Sequence, residues 1–220
     1  MRAFLKKILS PLLQKVSAIY LSKPRRYRYK DLSVLIEPTV FPPFLTISTK
    51  LLLEFIAPLS LKGKTFLELG CGSGIISILA ARNGAQVTAT DINPIAISAL
   101  VKNAASNHVV IDILASDLFE NLMDKSFDYI IINPPYYPKN PISIAEKAWF
   151  CGEQFDYFEQ LFFQLPHFKT SDNNIIMILS EDCDLQKIKT IALNNKMAFK
   201  VLLAKKVAGE KNYIFEIDKL

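Results

Sequence analysis

The stretch "KTFLELGCGSGIISILAARNG", from Lys64 to Gly84, decides the fold. It begins with a short, mostly apolar segment, "TFLEL", which is typical of a buried strand, and this segment runs directly into a glycine-rich loop. Apolar residues at helical spacing follow, and Asn83 and Gly84 mark the end of that helix. Because strand, loop and helix follow one another so closely, the stretch predicts a βαβ unit and an α/β protein.

The alternation of strand and helix continues on both sides of this stretch. Helices are predicted in "TISTKLLLEFIAPL", "NPIAISALVKNAASN" and "EQFDYFEQLFFQL", and strands in "AQVTATD", "VVIDILASD", "FDYIIIN" and "NNIIMILS". The tail "MAFKVLLAKKVAGEKNYIFEI" contains two strands joined by a turn around Gly209. We therefore predict a Rossmann-like, seven-stranded, mainly parallel sheet with an antiparallel carboxyl-terminal edge hairpin.

Length and composition indicate one folded domain with a short extension. The chain has 220 residues, of which 50% are hydrophobic and 21% charged, so disorder is not expected. Its three cysteines lie far apart without C-x-x-C spacing, which favours neither disulfides nor a metal site and fits a cytoplasmic protein. No segment approaches the ~20 apolar residues of a membrane span.

Charge separates the amino end from the rest of the chain. Residues 1–30 carry nine Lys or Arg and no acid, so the remainder has a net charge of −4. We divide the chain into a basic extension with an amphipathic helix, residues 1–44, and a main domain, residues 45–220. Either the helix packs on the domain, or residues 1–30, including "KPRRYRYK", contact RNA; a membrane surface is a third alternative.

The glycine loop predicts a nucleotide-like cofactor. Gly70, Gly72 and Gly74 permit positive φ and close approach of a ligand, and the helix amino end offers free N–H groups. The dinucleotide fingerprint G-x-G-x-x-G has a third glycine where this chain has Ile75. The Glu68 carboxylate would also repel a pyrophosphate. These features favour a positively charged cofactor over a dinucleotide.

Two acids after the next strands extend the predicted cofactor site. Asp91 ends a strand 21 residues after the first glycine, where a carboxylate can accept both ribose hydroxyls. Ile92 follows it in the same site. Asp117 is placed to accept from an adenine amino group, with Leu118 packing near the ring, although it could instead only cap the next element.

The motifs "ELGCGSG", "TDIN", "SDLF" and "NPPYY", in this order, resemble those of class I S-adenosylmethionine-dependent methyltransferases. The resemblance covers roughly residues 45–217 and points to the amino-methylating branch that carries an N-P-P-Y motif. The segments "EKAWFCGEQFDYFEQLFFQL" and "KKVAGEKNYIFEI" are similar to the HemK-like family, which includes release-factor glutamine methyltransferases. The resemblance implies a class I methyltransferase fold, a catalytic domain at residues 45–220 and S-adenosyl-L-methionine as cofactor.

The stretch "NPPYY" is predicted to hold the nitrogen that is methylated. The strand before it must end there because proline lacks the amide hydrogen of a ladder. The Asn133 side-chain oxygen and the Pro134 main-chain oxygen can each accept an N–H of a planar nitrogen, and Tyr136 offers a stacking face. These three residues are the catalytic candidates, Asn133 also borders the cofactor, and Pro135, Tyr136 and Tyr137 form the substrate side.

The sequence therefore predicts an N-methyltransferase that acts on a planar NH2 group. The substrate is either a protein glutamine amide, favoured by the carboxyl-terminal resemblance, or an amino group of an RNA base, favoured by the basic amino end. A noncatalytic nucleotide-binding module and an NAD(P)-dependent dehydrogenase are the alternative classes. The glycine spacing disfavours the dehydrogenase, and the intact "NPPY" disfavours the noncatalytic module.

Overall fold

A computed structural model describes residues 22–123, 125–207 and 209–220. Its strands are β1 (Arg25–Tyr29), β2 (Leu32–Ile36), β3 (Thr65–Leu69), β4 (Gln86–Asp91), β5 (Asp112–Ala115), β6 (Tyr129–Ile132), β7 (Asn174–Ser180), β8 (Met197–Val207) and β9 (Glu210–Lys219). Its helices are α1 (Ser48–Ile56), α2 (Ile75–Arg82), α3 (Pro94–Ser106), α4 (Asp156–Phe168) and α5 (Leu185–Asn194), with a 3₁₀ turn at Glu146–Ala148.

The main sheet has the predicted seven strands, in the order β5-β4-β3-β6-β7-β9-β8. Neighbours from β5 to β7 pair in parallel, whereas β9 pairs antiparallel with both β7 and β8. The Rossmann-like sheet with an antiparallel carboxyl-terminal edge hairpin is thus confirmed. Strand order reverses between β3 and β6, and such a switch point is where open α/β sheets bind ligands.

Two hydrophobic clusters cover the opposite faces of the sheet. Residues of α1, α2 and α3 pack with Ile131 on one face, and residues of α4 and α5 pack with Ile130 and Ile132 on the other. Successive side chains of β6 therefore enter different clusters. This burial on both faces explains why "YIII" is uninterrupted by polar residues.

The β1–β2 hairpin was not anticipated from the sequence. It packs on α2 and α3, and its buried residues Leu32, Val34 and Ile36 belong to the same cluster as those helices. Tyr27 and Tyr29 are half-buried and pack against that cluster, whereas Arg26 and Arg28, which alternate with them along β1, are exposed. The division at residue 44 stays a prediction, but the hairpin, which lies before it, joins the main core.

Two further points concern the ends of the chain. The predicted amphipathic helix of the basic extension lies in residues 1–21, outside the described residues. Near the carboxyl end, helix α5 was also not predicted. Its sequence does carry a capping residue, Asp184, whose side chain accepts from the Lys187 amide at 3.0 Å.

Candidate active site

The carboxyl ends of three neighbouring parallel strands bring the predicted residues together. Glu68 lies in β3, Asp91 ends β4, and Asn133 directly follows β6. Of the thirteen predicted site residues, all except Gly74 line one cavity at this edge of the sheet. These twelve residues are Glu68, Gly70, Gly72, Asp91, Ile92, Asp117, Leu118, Asn133, Pro134, Pro135, Tyr136 and Tyr137.

The glycine loop is bonded to the neighbouring strand β4. The Gly70 and Cys71 amides both donate to the Thr90 carbonyl, at 2.9 and 2.8 Å. Gly70 has φ +75°, and no atom lies within 4 Å of the position that a Cβ would occupy. Because Gly70 lines the cavity, its missing side chain leaves room for a ligand to approach the backbone.

Gly74 has a packing role that the sequence analysis did not predict. It does not line the cavity but stands at the start of α2 with a left-handed φ of +74°. A Cβ there would lie 2.1 Å from Leu100 Cδ1 of α3. Glycine is therefore required at this position for helix–loop packing, and its contact with the cofactor stays a prediction.

Glu68 places a buried carboxylate beside the cavity. It accepts from the Ser77 amide at 2.8 Å and from the Ser77 hydroxyl. Burial raises the pKa of Glu68 to about 8; the Asp91 carboxylate adds to this rise, whereas the hydrogen bonds from Ser77 oppose it. A cation in the cavity would favour the ionised form, so the group suits a positively charged ligand.

Asp91 is held by main-chain amides of two loops. One carboxylate oxygen accepts from the Gly72 amide and the other from the Asn93 amide, each at 2.8 Å. Burial raises the pKa of Asp91, and these hydrogen bonds counteract the rise. A carboxylate oxygen can accept more than one hydrogen bond. Asp91 is therefore fixed in orientation and keeps acceptor capacity for hydroxyl groups.

The segment after β5 brings a further polar group to the cofactor side. Asp117 is half-buried, and Leu118 is buried with a positive φ of +46°. Tyr157 of α4 lines the same cavity, and burial raises its pKa, with the Asp117 and Asp91 carboxylates adding to the rise. A protonated tyrosine thus stands near both predicted cofactor acids.

The segment after β6 presents two hydrogen-bond acceptors at the cavity. Asn133 is half-buried and Pro134 is buried. Among the described residues, neither the Asn133 side chain nor the Pro134 main-chain oxygen has a hydrogen-bond partner. Two consecutive prolines restrict the backbone that carries these acceptors. The site therefore offers two unpaired oxygens to an N–H donor.

The two tyrosines of "NPPYY" line the cavity at the predicted substrate side. Their ring centroids are 4.8 Å apart, with an interplanar angle of 52°. Burial raises the pKa of Tyr136, so its hydroxyl stays protonated, whereas Tyr137 is 37% exposed at the mouth. The Tyr137 amide donates to the Trp149 carbonyl at 3.1 Å, which joins this segment to the next loop.

Two segments that the sequence analysis did not assign to the site complete the cavity. The roof loop, residues 37–43, contributes Thr39, Val40, Phe41 and Pro43, and residues 140–152 contribute Trp149 and Phe150. The Phe41 and Trp149 rings meet with centroids 4.9 Å apart. Neither segment carries a motif of its own, because each enters the site through contacts with residues distant in the chain.

The residues present fit S-adenosylmethionine. The cavity has a volume of about 470 Å³, within the range of small-molecule sites. Gly70 leaves space beside the backbone, the buried Glu68 favours a cation, and Asp91 can accept from hydroxyls. No group of three or more His, Cys, Asp or Glu suited to a metal occurs among the described residues.

Solved structures share this fold. The ribosomal protein L11 methylase of Lactobacillus delbrueckii subsp. bulgaricus aligns with a TM-score of 0.62 at 23% identity, over 84% of this chain and 83% of that one. The T. thermophilus 16S rRNA N2 G1207 methyltransferase aligns with a TM-score of 0.63 at 22% identity, over 88% and 50%. At these identities, the likeness establishes the class I methyltransferase fold.

Fold and site together define an S-adenosylmethionine-dependent methyltransferase. The chain belongs to the methyltransferase small domain family, whose model matches residues 31–149. Neither the dehydrogenase nor the noncatalytic module is supported.

Sequence relatives carry names that refer to different substrates. A Methanocaldococcus jannaschii protein with the provisional name protein N5-glutamine methyltransferase is 35% identical over 146 residues, which cover 64% of this chain and 73% of the relative. Ribosomal RNA small subunit methyltransferase C of Haemophilus influenzae is 39% identical over 111 residues, 49% of this chain and 33% of the relative.

In the described part of the chain, no helix is long and apolar enough to cross a membrane.

Proposed function

We propose that the protein transfers a methyl group to the nitrogen of a planar NH2 group. The observation that carries this proposal is the pair of unpaired acceptors, Asn133 and the Pro134 carbonyl, on the cavity shared with the glycine loop. It agrees with the resemblance to the N-P-P-Y amino-methylating branch and, within it, to HemK-like enzymes.

A planar amide or aromatic amino nitrogen is a weak nucleophile because its lone pair is delocalised. S-adenosylmethionine, when bound, supplies an electrophilic methyl group on a positively charged sulfur. Asn133 and Pro134 would accept the two N–H groups and orient the lone pair. As the nitrogen–methyl bond forms and the sulfur–methyl bond breaks, the nitrogen gains positive charge, so these acceptors stabilise the transition state more than the ground state. The sulfur would leave as a neutral thioether, and the nitrogen would then release one proton to solvent. Tyr136 would stack on the planar group.

The cofactor would lie over the glycine loop. Gly70 and Gly72 would allow it to approach the backbone, and Asp91 would accept from its ribose hydroxyls. Asp117 and Leu118 would contact the adenine, and Glu68 would favour the cationic end. Asn133 lies between this region and the tyrosines, so it would border both cofactor and substrate.

A protein glutamine amide is the first candidate substrate. The relative with a glutamine methyltransferase name matches this chain over 73% of its own length at 35% identity. The segment that follows "NPPYY" and the carboxyl-terminal hairpin resemble the same HemK-like group. Tyr136 and Tyr137, which line the cavity, would accommodate a flat side-chain amide.

An RNA base is the second candidate, and the β1–β2 hairpin favours it. Arg26 and Arg28 are exposed on the face of β1 that points away from the core, and they pair across the hairpin with Leu35 and Ser33. Within the described residues, neither arginine makes an ion pair. Two such cations, with the other bases of residues 1–30, would suit a phosphate backbone.

Replacing Asn133 and Asp91 separately tests the proposal. Asn133→Ala should lower turnover on the order of 100-fold through loss of one preorganised contact, with little change in cofactor affinity. Asp91→Ala should weaken cofactor binding about 10-fold or more. Calorimetry and initial rates measure both, with the exposed Asn194→Ala as control. If Asn133→Ala loses affinity and turnover equally, Asn133 does not orient the acceptor nitrogen.

A further inference from the structure

Three asparagines, one in helix α3 and one directly next to each of its ends, hold the segment that leads into the roof of the cavity. Asn93, Asn103 and Asn107 are all buried, and each bonds to the main chain of residues 33–39. We call them the asparagine row. Buried side-chain amides are rarely left in a core without a complete set of partners, so their partners identify what the row is built to hold.

Asn103 and Asn107 bond to the main chain of β2 in the way that a neighbouring strand would. Asn107 accepts from the Ser33 amide at 3.1 Å and donates to the Ser33 carbonyl at 2.8 Å. Asn103 does the same with Leu35, at 2.8 and 2.9 Å. Four helical residues advance about 6 Å and two strand residues about 6.7 Å, so the two spacings match.

The amino end of α3 extends this hold to the roof loop. The Asn93 side chain caps the helix by accepting from the Ile95 amide at 2.9 Å. Its amide nitrogen donates to the Thr39 carbonyl at 3.1 Å. Thr39 lines the cavity together with Phe41. The asparagine row therefore fixes the chain from β2 into the roof.

Asn103 differs from Asn107 in one bond. Its amide nitrogen also donates to the Ser73 carbonyl of the glycine loop, at 3.1 Å. The corresponding second bond of Asn107 stays within its own helix, where it reaches the Asn103 carbonyl at 2.7 Å. Asn103 thus joins the β2 strand, which carries the roof, to the loop on which the cofactor would lie.

We propose that Asn103 is a positioning residue for cofactor binding, because it sets the spacing between the roof loop and the glycine loop before the cofactor arrives. The roof loop lies close to the glycine loop, since a Cβ added at Gly72 would come within 3.8 Å of Phe41 Cβ. A cavity fixed in advance loses less conformational freedom on binding, which increases affinity. The inference rests on the proposed placement of S-adenosylmethionine in this cavity.

The matched variants Asn103→Asp and Asn107→Asp test this role. Each keeps the acceptor for a β2 amide and loses two amide donors, so both should destabilise the fold similarly. Only Asn103→Asp also releases the glycine loop. We expect its Kd for S-adenosylmethionine to rise about 10-fold, against less than about 2-fold for Asn107→Asp. Titration calorimetry measures affinity, and urea denaturation measures stability.

Equal Kd values for the two variants would overturn the role of Asn103. Amide hydrogen exchange in the unmodified protein gives a second test that needs no variant to fold. Saturation with S-adenosylmethionine should slow exchange of the Leu35 amide, which Asn103 holds, more than exchange of the Ser33 amide. Equal protection of the Leu35 and Ser33 amides would also overturn the positioning role of Asn103.

These readouts need no methyl acceptor, so they are independent of the substrate. If the two variants bind S-adenosylmethionine equally while Asn133→Ala lowers turnover as expected, the positioning role fails and the proposed function stands. If the unmodified protein does not bind S-adenosylmethionine, both fail.

Discussion

Replacing Glu68 by glutamine should remove a pH dependence from the stability of the fold. Glu68 is 6% exposed, and both of its hydrogen bonds come from Ser77. Its pKa in the folded protein is about 8, against an ordinary value of 4.5 that applies to the unfolded chain. At a pH between these two pKa values, Glu68 is protonated in the folded protein and ionised in the unfolded chain.

The sign and size of the effect follow from this difference. Because the folded state binds more protons, rising pH favours unfolding throughout the window between the two pKa values. Each pH unit inside the window corresponds to about 1.4 kcal/mol. As the pH rises from about 6 to about 7.5, release of the Glu68 proton on unfolding should therefore lower the free energy of unfolding by about 2 kcal/mol.

Urea denaturation at these two pH values measures the effect. The unmodified protein should lose about 2 kcal/mol more than Glu68→Gln as the pH rises. Asp91 is present in both proteins, so the comparison isolates Glu68. The control Glu159→Gln removes an exposed carboxylate of α4 and should behave like the unmodified protein. The same pH dependence in Glu68→Gln and the unmodified protein would refute the reasoning.

Two further predictions concern the glycine loop and the hairpin. Gly74→Ala should destabilise the fold by more than about 2 kcal/mol, because the added Cβ would lie 2.1 Å from Leu100 Cδ1 of α3. The control Gly63→Ala has a similar φ and no atom within 4 Å of the added Cβ, so it should destabilise the fold by only about 1–2 kcal/mol. Equal denaturation midpoints for the two variants would contradict this packing role of Gly74. If RNA is the substrate, Arg26→Gln with Arg28→Gln should reduce the salt slope of RNA binding by up to about 2, and an unchanged slope would exclude the hairpin from the RNA contact. The control pair replaces two exposed lysines outside the hairpin, Lys187 and Lys206.

The parts of the fold that depend on local pattern could be predicted from the sequence. The apolar run of β6, buried on both faces, and the glycine loop after β3 each carry their own signal within a few residues. Because parallel strands end at one edge of the sheet, placing the motifs after these strands also brought Asp91 and Asn133 to the same cavity.

The parts that depend on distant contacts were missed. The alternation of arginine and tyrosine in β1 was a strand signal, but the burial of Tyr27 and Tyr29 depends on helices far along the chain. The role of Asn103 is set by β2, 68 residues away. The packing of Leu100 against Gly74 was not predicted, because the loop motif does not show which distant residue lies against it.

Locating the transferred methyl group tests the account most directly. The protein is incubated with S-adenosylmethionine labelled in its methyl group and with separated cellular protein and RNA fractions, and Asn133→Ala, with its expected low turnover, serves as the control. We predict label on nitrogen, which acid hydrolysis releases as methylamine from a glutamine amide or leaves as an N-methylated base from RNA. Label recovered on carbon or on oxygen would contradict the account.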